Sequence, residues 1–130
     1  MEQLYEFFKE TSGICTDTRN IEKDSFFVAL KGANFNGNKF ALNALEKGAK
    51  YAIVDESEYA NDSRIFLVNN GLVFLQNLAK YHRSKFDIPI IGITGSNGKT
   101  STKELIATVL TQKFKTLSTK GNLNNHIGVP

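Results

Sequence analysis

The chain has 130 residues, enough for one domain or one and a half. Its 41% hydrophobic and 22% charged residues are those of an ordinary globular protein, and its net charge of +3 comes without the Lys/Arg block or basic aromatic stripe of a nucleic-acid reader. Cys15 is the only cysteine, which excludes an internal disulfide; the N-terminus has no cationic stretch leading into an apolar one, and no apolar run approaches a membrane span. A cytoplasmic protein is therefore expected, with no membrane insertion and no nucleic-acid partner.

Leu4, Phe7 and Phe8 give a first apolar helical face. Phe26 to Leu30 reads as a strand ending at Gly32, and 40–47 as a helix closed by Gly48. Residues 51–54 and 65–68 read as strands. Asn69-Asn70-Gly71 is a turn feeding a long helix, with Leu72, Leu75, Leu78, Ala79 and His82 at helical spacing. This mixture predicts a small α/β domain over 1–84. Ser84 to Asp87 reads as a short link.

A second segment, 85–130, has a different character. Ile88 to Ile93 is apolar at every position but Pro89 and Gly92, as in a parallel strand covered on both faces. It runs into Gly95-Ser96-Asn97-Gly98-Lys99-Thr100-Ser101, then a helical stripe of Leu105, Ile106, Val109 and Leu110. Lys115 to Leu117 is the next candidate strand. Strand, small-residue loop, Gly-Lys-Thr and helix together read as a phosphate-binding loop. Gly95 and Gly98 can take backbone angles that let the chain close on an anion. Amides of 96–101 can then point at phosphate oxygens, aided by the helix N-terminus. Lys99 can reach the terminal phosphates, and the Thr100 hydroxyl can ligate Mg²⁺. The strict eight-residue pattern wants glycine at 93, where this chain has Ile93. The bland alternative is a glycine-rich strand-to-helix turn with a surface lysine. The expected fold class is α/β: a small N-terminal α/β domain, then the first strand–P-loop–helix–strand of a parallel-sheet ATPase domain.

The chain closes on Thr119 to Pro130, with Asn122, Asn124 and Asn125 close together. Asparagines donate and accept many hydrogen bonds and occupy turns. After the second strand of a nucleotide-binding unit, such a loop faces the ligand crevice.

These residues resemble the Mur ligase family. The resemblance rests on Gly95 to Ser101 followed by Lys103-Glu104, and on the asparagine motif from Gly121 to Pro130. Thr16-Asp17-Thr18-Arg19 resembles the family's D-[ST]-R motif, Phe26 to Gly32 its F-x-A-L-x-G strand, and Phe35 to Phe40 its F-D-G-H-x-F stretch. In the last, Asn36 and Asn38 stand where the family has Asp and His, so no ligand role is carried onto them.

The resemblance implies an ATP-dependent amide ligase of peptidoglycan precursor synthesis, a monomer using ATP and Mg²⁺. The asparagine motif resembles that of members joining D-alanyl-D-alanine to UDP-N-acetylmuramoyl-tripeptide. The tripeptide's carboxylate would become an acyl phosphate, which the amine then displaces. Lys99 would be the catalytic residue, the loop 95–101 would hold the nucleotide, and Thr100 would hold Mg²⁺. Thr18 and Arg19 would contact the uridine nucleotide, with a surface salt bridge the alternative for Arg19. Asn122, Asn124 and Asn125 would lie near the substrate or the γ-phosphate. The family's acidic metal ligands, modified lysine and amine-binding domain have no counterpart here, so part of a longer ligase is expected.

The other reactive residues read as structural: His82 packed on a helix face, His126 a bystander, Cys15 a small buried residue and Glu104 a solvated helix position. Two other classes stay open, another P-loop enzyme such as a kinase or sister amide ligase, and a non-catalytic nucleotide-binding module.

Overall fold

The computed structural model describes residues 1–121 and 123–130. The chain divides into two compact units, Met1–Arg83 and Ser84–Pro130.

In the first unit, four short strands form a parallel sheet. They are β1 (Ile14–Cys15), β2 (Phe26–Val28), β5 (Tyr51–Val54) and β6 (Ile65–Leu67), in the order β1-β2-β5-β6. Register sets Phe26 opposite Tyr51, and Ile53 opposite Phe66. Between β2 and β5 lie a small antiparallel hairpin, β3 (Lys31–Gly32) with β4 (Phe35–Asn36), a 3₁₀ turn over Gly37–Phe40 and helix α2 (Ala41–Glu46). Helices α1 (Glu2–Lys9) and α3 (Gly71–Arg83) complete the unit.

Alternation along the strands builds two cores. Phe26, Val28 and Ile53 pack with Tyr5 of α1 and with Phe74, Leu75 and Leu78 of α3. Phe27, Ala29, Ala52 and Val54 pack on the other face with Ala41, Ala44 and Leu45 of α2. A sheet buried on both faces explains why these strands read as continuous apolar runs. Each large side chain sequestered here stabilises the fold by roughly 1.5–3 kcal/mol relative to exposure. Cys15 and His82 are accounted for by packing. The Cys15 thiol is buried and lies 3.4 Å from the carbonyls of Asp17 and Asn20. His82 Nδ1 meets the Tyr5 hydroxyl at 3.0 Å, with the Phe8 ring edge-on.

Asp55, immediately after β5, ties several elements together. Its Oδ2 accepts the Gly71 amide at 3.1 Å, at the start of α3, where an acidic group is favoured. A Cβ on Gly71 would sit 2.4 Å from the Ala29 carbonyl oxygen, so only glycine lets α3 begin there. Asn70 caps the same turn, its Oδ1 accepting from the Val73 amide at 2.9 Å.

In the second unit the only regular element among the described residues is helix α4 (Lys99–Leu110). The strands expected at 88–93 and 115–117 are not formed. A strand exists through its ladder partners, and none of the described residues of 84–130 supplies one. Ile88, Ile90 and Ile91 are exposed accordingly.

Candidate functional site

The first unit carries an open cleft of about 660 Å³, lined by Thr16, Asp17, Thr18, Arg19, Phe35 and Phe40. One wall is the tight loop after β1. The Asp17 carboxylate accepts the Arg19 amide at 2.9 Å, and the Arg19 guanidinium returns to it through Nε at 2.9 Å and Nη2 at 2.8 Å. These bonds hold the Asp17 carboxyl down to about 2, well below its ordinary value of 3.8. Lys47, at the end of α2, anchors the loop by donating to the Thr18 carbonyl at 2.9 Å. The structure thus contains the Arg19 surface salt bridge, and places it on the rim of a cleft. Bidentate pairing presents the guanidinium in one orientation, its remaining donors open to an anionic group.

The other wall is aromatic. The Phe35 and Phe40 rings stack nearly parallel, with centroids 5.5 Å apart and 9° between planes, yet both stay exposed, at 47% and 37%. The motif F-N-G-N-x-F contains both residues without marking them as a cleft wall. Two aromatics bracketing a polar glycine turn are the available signal. Asn36 and Asn38, between them, point away into a hydrogen-bonded cluster with Asp55, Glu56 and Lys31.

In the second unit, Gly98 opens α4 with φ +76°, a left-handed conformation that suits glycine. Among the described residues no side chain caps α4, so the first-turn amides of Lys99, Thr100 and Ser101 face outward as free donors. The Lys99 ammonium folds back to donate to the Gly95 carbonyl, holding it over the loop. A glycine-framed turn, uncapped amides, an overhanging ammonium and two first-turn hydroxyls are a donor set that fits a phosphate chain.

Lys103, one turn into α4, donates to the carbonyls of Thr119 and Gly121, the latter at 3.0 Å, and pairs with Glu104 at 2.9 Å. It draws 119–121 against α4, the helix that opens with the loop. Asn125 is used locally: its Oδ1 accepts the Ile127 and Gly128 amides at 3.1 and 2.8 Å, closing a turn. Asn124 and His126 are exposed, and Asn122 lies outside the described residues. No helix among the described residues is long and apolar enough to cross a membrane.

The profile of the Mur ligase family catalytic domain matches residues 10–91, and that of the Mur ligase middle domain matches 93–130. The chain is 46% identical over 121 residues to the UDP-N-acetylmuramoyl-tripeptide–D-alanyl-D-alanine ligase of Synechocystis sp., covering 92% of this chain and 27% of that protein. It is 41% identical over 120 residues to the ligase of the same name from Bacillus subtilis, covering 91% and 26%. The crystal structure of MurF ligase from Thermotoga maritima in complex with ADP superposes with a TM-score of 0.79 at 32% identity, over 95% of this chain and 28% of that one. The chain thus spans about a quarter of the length of the curated relatives it matches. With two successive profiles covering all but its first residues and one position between them, the chain belongs to the Mur ligase family.

Proposed function

We propose that this chain provides the UDP-substrate-binding domain (1–84) and the opening of the ATP-binding P-loop domain (85–130) of a cytoplasmic, monomeric ligase. That ligase joins D-alanyl-D-alanine to UDP-N-acetylmuramoyl-tripeptide during peptidoglycan precursor synthesis. The observation that carries the reading is the glycine-framed opening of α4, with uncapped amides under the Lys99 ammonium. The identity to ligases of that name, which runs through both segments, supports it.

A carboxylate does not acylate an amine at neutral pH. MgATP supplies the phosphoryl group that turns the tripeptide carboxylate into an acyl phosphate, from which the D-alanyl-D-alanine amine displaces phosphate. Lys99 is the catalytic residue, neutralising charge on the transferring phosphoryl group. Gly95, Ser96, Asn97, Gly98 and Ser101 contribute the backbone cradle, and Thr100 a hydroxyl ligand for Mg²⁺. Thr18 and Arg19 hold the uridine diphosphate, and Phe35 and Phe40 offer apolar faces to the base. Asn122, Asn124 and Asn125 serve the reacting end of the substrate.

Calorimetric titration of the chain with UDP and, separately, with ATP tests the assignment. UDP binding that weakens on Arg19→Ala is the expected result. Tight ATP binding with no UDP binding would overturn it in favour of a nucleotide-binding module.

A further inference from the structure

The turn between the two cleft phenylalanines is inside out. Asn38 is 0% exposed, while Phe35 and Phe40 stand in solvent. A folding chain ordinarily buries the aromatics and exposes the amide, because an unsatisfied buried amide is costly and an exposed ring forgoes its burial energy. The inversion here is stabilised by a full set of partners for Asn38. Its Nδ2 donates to Asn36 Oδ1 at 2.9 Å and to Asp55 Oδ1 at 2.8 Å. Its Oδ1 accepts the Asp55 amide at 2.9 Å, and its own backbone amide donates to Asn36 Oδ1 at 3.0 Å. Asn36 Nδ2 in turn reaches Glu56 Oε2 at 2.9 Å, and Lys31 of β3 pairs with both Asp55 and Glu56 at 3.1 and 3.2 Å.

These bonds clamp Asn36 and Asn38 onto the end of β5. Phe35 immediately precedes Asn36, and Phe40 ends the 3₁₀ turn that Asn36 caps. We propose that Asn38 is a positioning residue for the cleft: its buried amide, locked to Asp55, fixes the stacked Phe35–Phe40 pair that receives the base of the uridine nucleotide. The ligand half of this rests on the functional reading above; the positioning half rests on the hydrogen bonds alone.

Two readouts separate the halves. Nuclear Overhauser effects between selectively labelled Phe35 and Phe40 rings report the stacking without ligand. Calorimetric titration with UDP reports binding. Asn38→Ala is expected to abolish the ring-to-ring Overhauser effects and weaken UDP at least about tenfold. In a Phe35→Ala background the same change should cost less than about twofold, because residues acting through one another are non-additive. Glu56→Gln, at a half-exposed position, serves as the gentler variant if Asn38→Ala does not fold, with smaller losses and the same non-additivity. Stacking that survives in the variant, or losses that simply add in the double variant, would overturn the positioning role. Stacking that disappears in the variant of a chain that never binds UDP would leave Asn38 as a positioning residue and overturn the nucleotide reading instead.

Discussion

Arg19 grips Asp17 through two parallel hydrogen bonds, Nε to Oδ1 and Nη2 to Oδ2, on the rim of the cleft in the first unit. The pair is exposed and screened, so it contributes little to folding. Its worth is orientation. Arg19→Ala is expected to weaken UDP binding about tenfold, the range of one charge-assisted contact, with no measurable change in melting temperature. Asp17→Asn keeps one acceptor but loses the bond to Nη2, so the guanidinium is held less firmly and UDP affinity should fall by less than in Arg19→Ala. The Asp17 carboxyl is held at about 2, so the ion pair is present above its ordinary value of 3.8 and is lost only as pH falls through about 2. An NMR titration of the Asp17 carboxyl should therefore show no step near its ordinary value of 3.8; a step there would mean that Asp17 is unpaired in solution.

Asp55 is the firmer hub. Burial alone would raise its carboxyl, but the Gly71 amide, the Asn38 amide and Lys31 together outweigh burial and hold it below its ordinary value. A group depressed in the folded state stabilises above its unfolded value and loses that contribution as pH falls through the folded one. The wild-type stability should thus fall on acidification below about pH 4, while Asp55→Asn should fall less over the same range. Asp55→Ala leaves buried donors on Asn38 and Gly71 without an acceptor and should cost about 2–4 kcal/mol. Urea denaturation at a series of pH values measures both. Equal acid sensitivity in the wild type and the Asn variant would remove Asp55 from the acid response.

If the proposed ligase activity holds, Lys99→Ala in the ligase should lower kcat by at least about a hundredfold, the scale of a lost charge-directed contact in a phosphoryl-transfer site. Binding of the UDP substrate should be unchanged, because the cleft of Thr18 and Arg19 belongs to the other unit. Steady-state kinetics with a separate UDP-substrate titration would decide. Activity within threefold of wild type would remove Lys99 from the chemistry.

Asn125 must be tested apart from Asn124, since its Oδ1 closes the turn at Ile127 and Gly128. Asn125→Asp keeps that acceptor and removes the two amide donors. Lost ligation in the Asp variant, with an unchanged melting temperature, would assign those donors to the substrate. Full activity in the Asp variant and loss in Asn125→Ala would assign Asn125 to the turn alone.

The sequence disclosed what local patterns can carry. Runs at 26–30, 51–54 and 65–68 marked strands because a doubly covered sheet leaves no polar face, and Asn70-Gly71 marked the start of α3. The hairpin of β3 and β4 is silent in the sequence because two-residue strands have no periodicity to detect. The burial of Asn38 is not legible in the sequence, because it depends on Asp55, 17 positions away. The run at 88–93 misleads for the same reason in reverse: an apolar stretch states a preference, and ladder partners decide. Within the candidate site, short motifs pointed to Thr18 and Arg19, which line the cleft, and to Lys99, which lies over the glycine turn. The aromatic wall required the geometry of the turn between its two rings.

The two units should differ sharply in hydrogen exchange. Amides in 51–54 belong to a central strand of the sheet, and those of β6 and α3 border its buried faces, so their exchange requires the unit to open as a whole. In 84–130 none of the described residues is buried, and Leu105, Val109 and Leu117 are 69%, 70% and 93% exposed. A 12-residue helix whose apolar stripe is open to water has little beyond its own hydrogen bonds to hold it, and isolated helices of that length are marginal. Amides of 88–117 should therefore exchange at least about a hundredfold faster than those of 51–54 and 65–82, a difference of about 2.7 kcal/mol in opening free energy. Adding ATP and Mg²⁺ should leave that contrast in place, because ordering the loop cannot cover Leu105 and Val109. Equal, strong protection across both units would mean that the stripe on α4 is covered in solution, and would revive the reading of the chain as a self-sufficient nucleotide-binding module.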